Sequence, residues 1–239
     1  MDHAVSELAA AVPDSFAEKF LLRAPLRGAS KLFCNIGDSL DSFLVHRRLA
    51  RAGCNRTNRI PTWTGKSELK TLLKLAAMCP VGAVGLEIGS YLGASSCYLA
   101  AGLARVGGSL ICVDTWNNDA VNMNRVDVFS EFSRNTAGVK HRLIIIRGRS
   151  IDLTDAQVRK PINIIFIDGD HSYEAVRADA EKVVPWLAPE GFLIFHDACT
   201  YQGVSRTVGE LLASGDWMIH ELVDSLMCLK RANFRPPPM

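Results

Sequence analysis

The sequence predicts an α/β fold: a mostly parallel seven-stranded sheet flanked by helices, with an antiparallel C-terminal strand and a helical N-terminal extension. Three observations carry that prediction. Short, nearly continuous apolar runs recur from Val84 onward, as strands buried on both faces require. Segments with helical spacing separate most of them. The first run, Val84 to Ile88, enters a turn held by Gly89 and Gly93 and leads straight into a helical pattern, Ala94 to Val106.

Taken in order, residues 1–60 form a helical cap or oligomerisation extension, with short helices expected at Ser6–Ala11 and Phe16–Leu22, broken by Pro13 and Pro25. His46, Arg47, Arg48, Arg51, Arg56 and Arg59 cluster there, either as a solvated helix face or as a clamp for an anionic group. A helix over Gly65–Cys79 opens the main domain, residues 61–232, with Leu69, Leu72, Leu73, Ala76 and Ala77 on one face. Strands are expected at Val84–Ile88, Leu110–Val113, Leu143–Arg147, Ile162–Ile167 and Phe192–Phe195. The helices between them fall at Ala94–Val106, Val126–Thr136, Asp155–Val158 and Tyr173–Leu187, and one more follows at Val204–Ser214. Two closing strands, Trp217–Glu221 and Leu226–Lys230, meet across a turn, and residues 233–239 are a tail. This rhythm is Rossmann-like.

Composition narrows the class. With 48% apolar and 22% charged residues the chain is that of an ordinary globular protein, and a formal charge of +2 argues against a nucleic-acid binder working by bulk electrostatics. The seven cysteines form no C-x-x-C pair and read as reduced thiols of a cytoplasmic protein. No apolar run reaches the length of a membrane span.

In an open parallel sheet the ligand lies outside the carboxyl ends of the strands. The first strand delivers Glu87 and the glycine turn there, the second Asp114, Thr115 and Trp116, the third Gly148, Arg149 and Ser150. The fourth delivers Asp168, Asp170 and His171, and the fifth His196 and Asp197. Asp114, an acid ending the second strand roughly 25 residues past the first glycine, is placed to accept both hydroxyls of a ribose. Gly89 and Gly93 stand too far apart for the G-x-G-x-x-G of a dinucleotide site. The wider turn, with Ser90, Tyr91 and Ser95, suits a zwitterionic amino-acid tail. Together these features indicate an adenosine-bearing ligand. His171 and His196, each beside a carboxylate (Asp170, Asp197), are the candidate general bases.

Glu87-Ile-Gly-Ser-Tyr-Leu-Gly-Ala-Ser95, Val113-Asp-Thr-Trp116, Ile167-Asp-Gly-Asp-His-Ser-Tyr173 and Phe195-His-Asp197 occur in that order. In this the chain resembles class I S-adenosylmethionine-dependent methyltransferases, and more closely bacterial small-molecule O-methyltransferases distantly similar to the catechol type. The resemblance spans about Ile60 to Lys230. It implies that Gly89, Tyr91, Gly93 and Ser95 line the methionine end of S-adenosylmethionine, that Asp114 holds the ribose, and that Ser150 and Arg149 lie near the adenine. Trp116 either stacks on the base or belongs to the core. Catechol-type relatives hold Mg²⁺ through an Asp after the fourth strand and an Asp-Asn pair after the fifth, which implies Asp168 and Asp197 as metal ligands here. Ala198 stands at the Asn position and His171 where those relatives carry a lysine base, so metal assistance and a histidine base both stay open.

The expected activity is methyl transfer to a hydroxyl of a small molecule, a sugar or natural-product intermediate. No nucleic-acid or membrane partner is expected, and a homodimer through the N-terminal extension is. The competing readings are a nicotinamide-dependent oxidoreductase and a non-catalytic methyltransferase-like scaffold. The loop Asn117–Asn124 and the N-terminal cap are the expected walls of the acceptor pocket.

Overall fold

The computed structural model describes residues 42–117 and 127–232. Most of the N-terminal extension, with its expected helices at Ser6–Ala11 and Phe16–Leu22, lies outside the described residues, as do positions 118–124 of the expected acceptor loop and the 233–239 tail. The chain divides into units 1–46 and 47–239. Of the first only residues 42–46 are described, and they are helical.

In the second unit the alternation expected from the apolar runs is present. Helix α1 (Lys66–Ala77) precedes β1 (Val84–Ile88), α2 (Ala94–Ala104) and β2 (Ser109–Asp114). Then come α3 (Val128–Asn135), β3 (Leu143–Arg147), β4 (Ile162–Ile167), α4 (Tyr173–Val183), β5 (Leu187–Phe195), α5 (Gln202–Ala213), β6 (Trp217–Val223) and β7 (Leu226–Arg231). They form one seven-stranded sheet in the order β3-β2-β1-β4-β5-β7-β6. β1 to β5 run parallel, while β7 pairs antiparallel with both β5 and β6.

The pleat decides what each strand residue touches. Val84, Leu86 and Ile88 of β1 join a core with Ile165, Ile167, Val176, Val183, Val204 and Val208, which places α4 and α5 over that face. Gly85 and Glu87 point the other way, toward α2, where Leu103 and Ser96 meet them. The sheet order reverses direction between β1 and β4, so their carboxyl ends open a crevice. β3, at one edge, is only half-buried.

Three local expectations differ. The helix expected over Tyr173–Leu187 ends at Val183, a 3₁₀ turn takes Val184–Trp186, and Leu187 already belongs to β5. Residues 155–157 form a turn, not a helix, and a single 3₁₀ turn sits earlier, at Ser150–Asp152. Four residues ahead of Arg159-Lys160-Pro161 are too few for a helix before a proline-led strand. β5 begins at Leu187, five residues before the apolar run that marked it, because Pro189, Glu190 and Gly191 hide the strand pattern although the chain stays extended. Among the described residues no helix is long and apolar enough to cross a membrane. Cys54, Cys79, Cys97, Cys112 and Cys228 are buried free thiols, and Cys199 is exposed.

Candidate active site

The glycine turn after β1 is fixed from both neighbouring strands. Gly89 N–H donates to the Val113 carbonyl at 2.9 Å, and Asp168 N–H donates to the Ile88 carbonyl at 2.9 Å. Asp114 closes the turn: its Oδ2 accepts the backbone N–H of Ser90 (2.9 Å) and Tyr91 (2.8 Å), and its Oδ1 accepts that of Trp116 (2.7 Å). A carboxylate offers about four acceptor positions, so one on Oδ1 remains for a ligand where the sequence suggested a grip on two hydroxyls. Gly93, at φ +87°, packs against Phe132 and Thr136, not toward the crevice.

Glu87 lies beneath the turn, fully buried, accepting hydrogen bonds from the Ser90 hydroxyl (2.7 Å) and the Ser96 hydroxyl. Burial pushes its carboxyl up to about 6, against the opposing pull of the Ser95, Ser96, Ser90 and Cys112 donors. A carboxyl raised on folding adds stability below its unfolded value, and that stability is lost as the pH rises through the folded one. Glu87→Gln is therefore expected to gain about 2 kcal/mol on the wild type between pH 4.5 and pH 7. Urea unfolding at the two pH values checks this; an equal difference at both would remove the buried-carboxyl account.

Tyr91 (φ 43°) and Trp116 (φ 47°) both adopt left-handed backbone, which turns their side chains onto the crevice rim. Trp63 stacks on Tyr91 at 4.9 Å, and Trp116 donates its Nε1–H to the Tyr91 carbonyl at 2.9 Å. Trp116 also packs on Phe129 and Phe132, so it serves core and crevice wall together. Thr115 Oγ accepts the Asn117 N–H at 3.3 Å. Arg149 forks onto Asp152 at 3.0 and 3.2 Å, and the hydroxyl of the buried Ser150 bonds Asp179.

The ends of β4 and β5 bring two histidines and three carboxylates together. His196, 4% exposed, has Glu68 Oε2 3.1 Å from Nε2, with Asp168 Oδ1 at 3.1 Å and Asp197 Oδ2 at 3.3 Å from Nδ1. Burial works against its charged form, but Asp168, Glu68 and Asp197 outweigh it and raise the imidazole to about 9. His171 stacks on Tyr201 at 4.3 Å, and its Nε2 is 3.5 Å from Asp197 Oδ2 and 3.8 Å from Asp168 Oδ1. The negative charge of the Asp168 carboxylate beside it, with that of Asp197, outweighs burial and raises this imidazole too. Asp170 does not orient a histidine: its Oδ1 accepts the Ser172 N–H at 2.7 Å at the entry to α4. Asp197 sits at φ 56°, a strained backbone for a residue with a Cβ.

Asp168, His171 and Asp197 each present a donor atom within 4.8 Å of the others. His171 Nε2 is buried yet has no hydrogen-bond partner among the described residues, and a cation between the two carboxylates would satisfy it. The donor set fits a divalent ion, and its imidazole suits one of borderline softness better than Mg²⁺, which favours all-oxygen shells.

Glu68 escaped the sequence reading. Its Oε2 also accepts the Gly65 N–H at 2.6 Å, and its Oε1 accepts Ser225 N–H (3.0 Å) and Oγ–H (2.8 Å). The available signal was an acid on the apolar face of a helix, one turn before Leu72 and two before Leu75.

A cavity of about 940 Å³ joins these parts. It is lined by Gly89, Ser90, Tyr91, Ser95, Asp114, Thr115, Trp116, Arg149 and Ser150 at one end and by Asp168, Asp170, His171, His196 and Asp197 at the other. Glu87 and Gly93 are not among its walls. Residues 86–198 match a family model described as a methyltransferase domain. Over those residues the chain carries a methyltransferase domain, and the strand order and the crevice between β1 and β4 agree with that match.

Solved structures with this fold include the O-methyltransferase from Bacillus cereus in complex with SAH, 18% identical, with a TM-score of 0.57 over 81% of this chain and 97% of that one. The O-methyltransferase TomG from Streptomyces achromogenes, involved in tomaymycin synthesis and solved with SAM, is 18% identical, with a TM-score of 0.58 over 82% and 96%. SAH-bound methyltransferase PaMTH1 from Podospora anserina is 11% identical, with a TM-score of 0.58 over 83% and 96%. At these identities the likeness is one of fold.

Proposed function

We propose that the protein moves the methyl group of S-adenosylmethionine to a hydroxyl oxygen of a small molecule. The observation that carries this reading is the single cavity joining the Asp114-tied glycine turn to the Asp168–His171–Asp197 cluster. Its volume of about 940 Å³ accommodates a nucleoside donor and a small acceptor together.

In this reading Ser90, Ser95 and the first N–H groups of α2 receive the amino-acid tail of the donor, and the free acceptor position of Asp114 takes a ribose hydroxyl. Ser150, with Arg149 beside it, meets the base. Tyr201, stacked on His171, walls the acceptor end, and Trp63 covers Tyr91 at the rim, so that water is kept from the reacting atoms. The donor supplies an already activated methyl, so the chain has to align the acceptor oxygen and take its proton. His171 takes that proton, and Asp168 and Asp197 stabilise the imidazolium formed. His196, with a carboxylate at each ring nitrogen, braces those two acids instead of acting as base. Where a divalent cation is bound, Asp168, His171 and Asp197 hold it, and its charge lowers the pKa of the acceptor hydroxyl.

Calorimetry with S-adenosylhomocysteine tests the donor site. The wild type is expected to bind it, and Asp114→Ala to weaken binding at least about tenfold, because the turn donors Ser90 and Tyr91, and Trp116 after β2, lose their acceptor. Equal affinity in the two proteins would sink the reading. Methyl transfer to a panel of hydroxylated acceptors, with and without a chelator, then separates cation from histidine activation.

A further inference from the structure

Helix α4 carries one acid on its buried face. Asp179 is 5% exposed and lies in sequence between Val176 and Ala180, both part of the core, one turn before Val183. An unpaired acid there would be costly, and Asp179 is half paired: the Ser150 hydroxyl donates to its Oδ1. Its Oδ2 accepts from no described residue, yet it is not among the sealed, unsatisfied atoms of the molecule. Both Asp179 and Ser150 line the cavity, next to Gly148, whose N–H donates to the Asp114 carbonyl at 2.9 Å. Through Ser150, Asp179 of α4 is held at the end of β3, one strand beyond β2, whose end carries Asp114.

We infer that Asp179 reads the base of the methyl donor, its free oxygen accepting a hydrogen from the exocyclic amine of a 6-aminopurine while Ser150 fixes the carboxylate. The inference rests on the donor reading above and adds a selectivity to it. Burial pushes the Asp179 carboxyl up to about 6, opposed by the Ser150 bond and helped by the charge of Asp170. At pH 7 the group is thus ionised and accepts only. A 6-aminopurine turns an N–H toward it. A 6-oxopurine turns a carbonyl oxygen, which leaves two acceptors facing each other in a poorly hydrated crevice. Sites built around one such polar contact reject the mismatched analogue strongly.

The test compares S-adenosylhomocysteine with S-inosylhomocysteine by calorimetry at pH 7.5, in the wild type and in Asp179→Asn. The wild type is expected to prefer the adenosyl compound at least about tenfold. Asp179→Asn is expected to bring the two affinities within about threefold, since a carboxamide can donate to the 6-oxo group as well as accept from the amine. Equal affinities in the wild type overturn the inference without need of the variant, as does an unchanged preference in Asp179→Asn. Failure of the wild type to bind either compound overturns the donor reading itself. Binding of both without discrimination overturns only the role of Asp179.

Discussion

Gly89→Ala is expected to remove measurable S-adenosylhomocysteine binding and to lower the unfolding temperature. At this position φ is +85°, a region that costs a residue with a Cβ about 1–2 kcal/mol. The steric clash costs more. A Cβ would stand 2.0 Å from the Asp168 carbonyl oxygen and 2.6 Å from its carbonyl carbon, both backbone atoms that no rotamer change can move. Room can come only from pushing the turn off the end of β4, which breaks the paired bonds between Gly89 and Val113 and between Asp168 and Ile88. It also separates Asp168 from the nucleoside side of the cavity. A loss of affinity of about a hundredfold or more is expected, corresponding to roughly 3 kcal/mol. Calorimetry and thermal unfolding of the purified variant decide it. Binding within threefold of wild type at an unchanged unfolding temperature would mean that the close approach of the turn to Asp168 is not required.

Glu68→Gln is expected to act differently, through stability and the acid cluster with the donor site left intact. The carboxylate faces four donors, Gly65 N–H, His196 Nε2, Ser225 N–H and Ser225 Oγ–H, and is 3% exposed. Those donors and His196 hold it ionised against the upward push of burial. A carboxamide has one accepting end. Whichever way it turns, its NH₂ meets a pair of donors, either Gly65 with His196 or Ser225 twice. Breaking a buried ion pair by changing one partner costs about 3–5 kcal/mol, or roughly 6–20 °C in a chain of this size. Glu68 is not a wall of the cavity, so S-adenosylhomocysteine affinity should stay within about threefold while methyl transfer falls. A Tm equal to that of wild type would refute this assignment. The double variant Glu68→Gln/His196→Gln is expected to cost less than the sum of the single changes, because the two side chains act on each other.

Much of the sheet was legible because strands buried on both faces have little choice but to be apolar. β1, β3 and β4 fall where their runs predicted, and β2 and β7 extend theirs by a residue or two. β5 was half hidden because Ala188-Pro-Glu-Gly191 breaks the pattern without breaking the strand. The residues at the strand ends were legible for a similar reason: topology brings Asp114, Ser150, Asp168, His171, His196 and Asp197 to one edge whatever their side chains do. Their partners were not legible. Asp170 was paired with a histidine by adjacency, and it bonds Ser172 instead. His196 was paired with Asp197, and it is held as closely by Glu68, 128 positions earlier. Such long-range choices depend on packing that spacing cannot encode. Glu68 and Asp179 still left a trace, each being a charged residue on the apolar face of its helix.

The Ser225 contact to Glu68 spans 157 positions, and it bears on the order in which the molecule can be made. As the chain leaves the ribosome, Glu68 emerges before β1, and His196 follows with β5. The turn between β6 and β7 is among the last parts to appear. Until Ser225 arrives, Glu68 Oε1 lacks both of its protein donors, so the shell around His196 is incomplete. The final hairpin thus completes the hydrogen-bonding shell of Glu68, and through Glu68 that of His196.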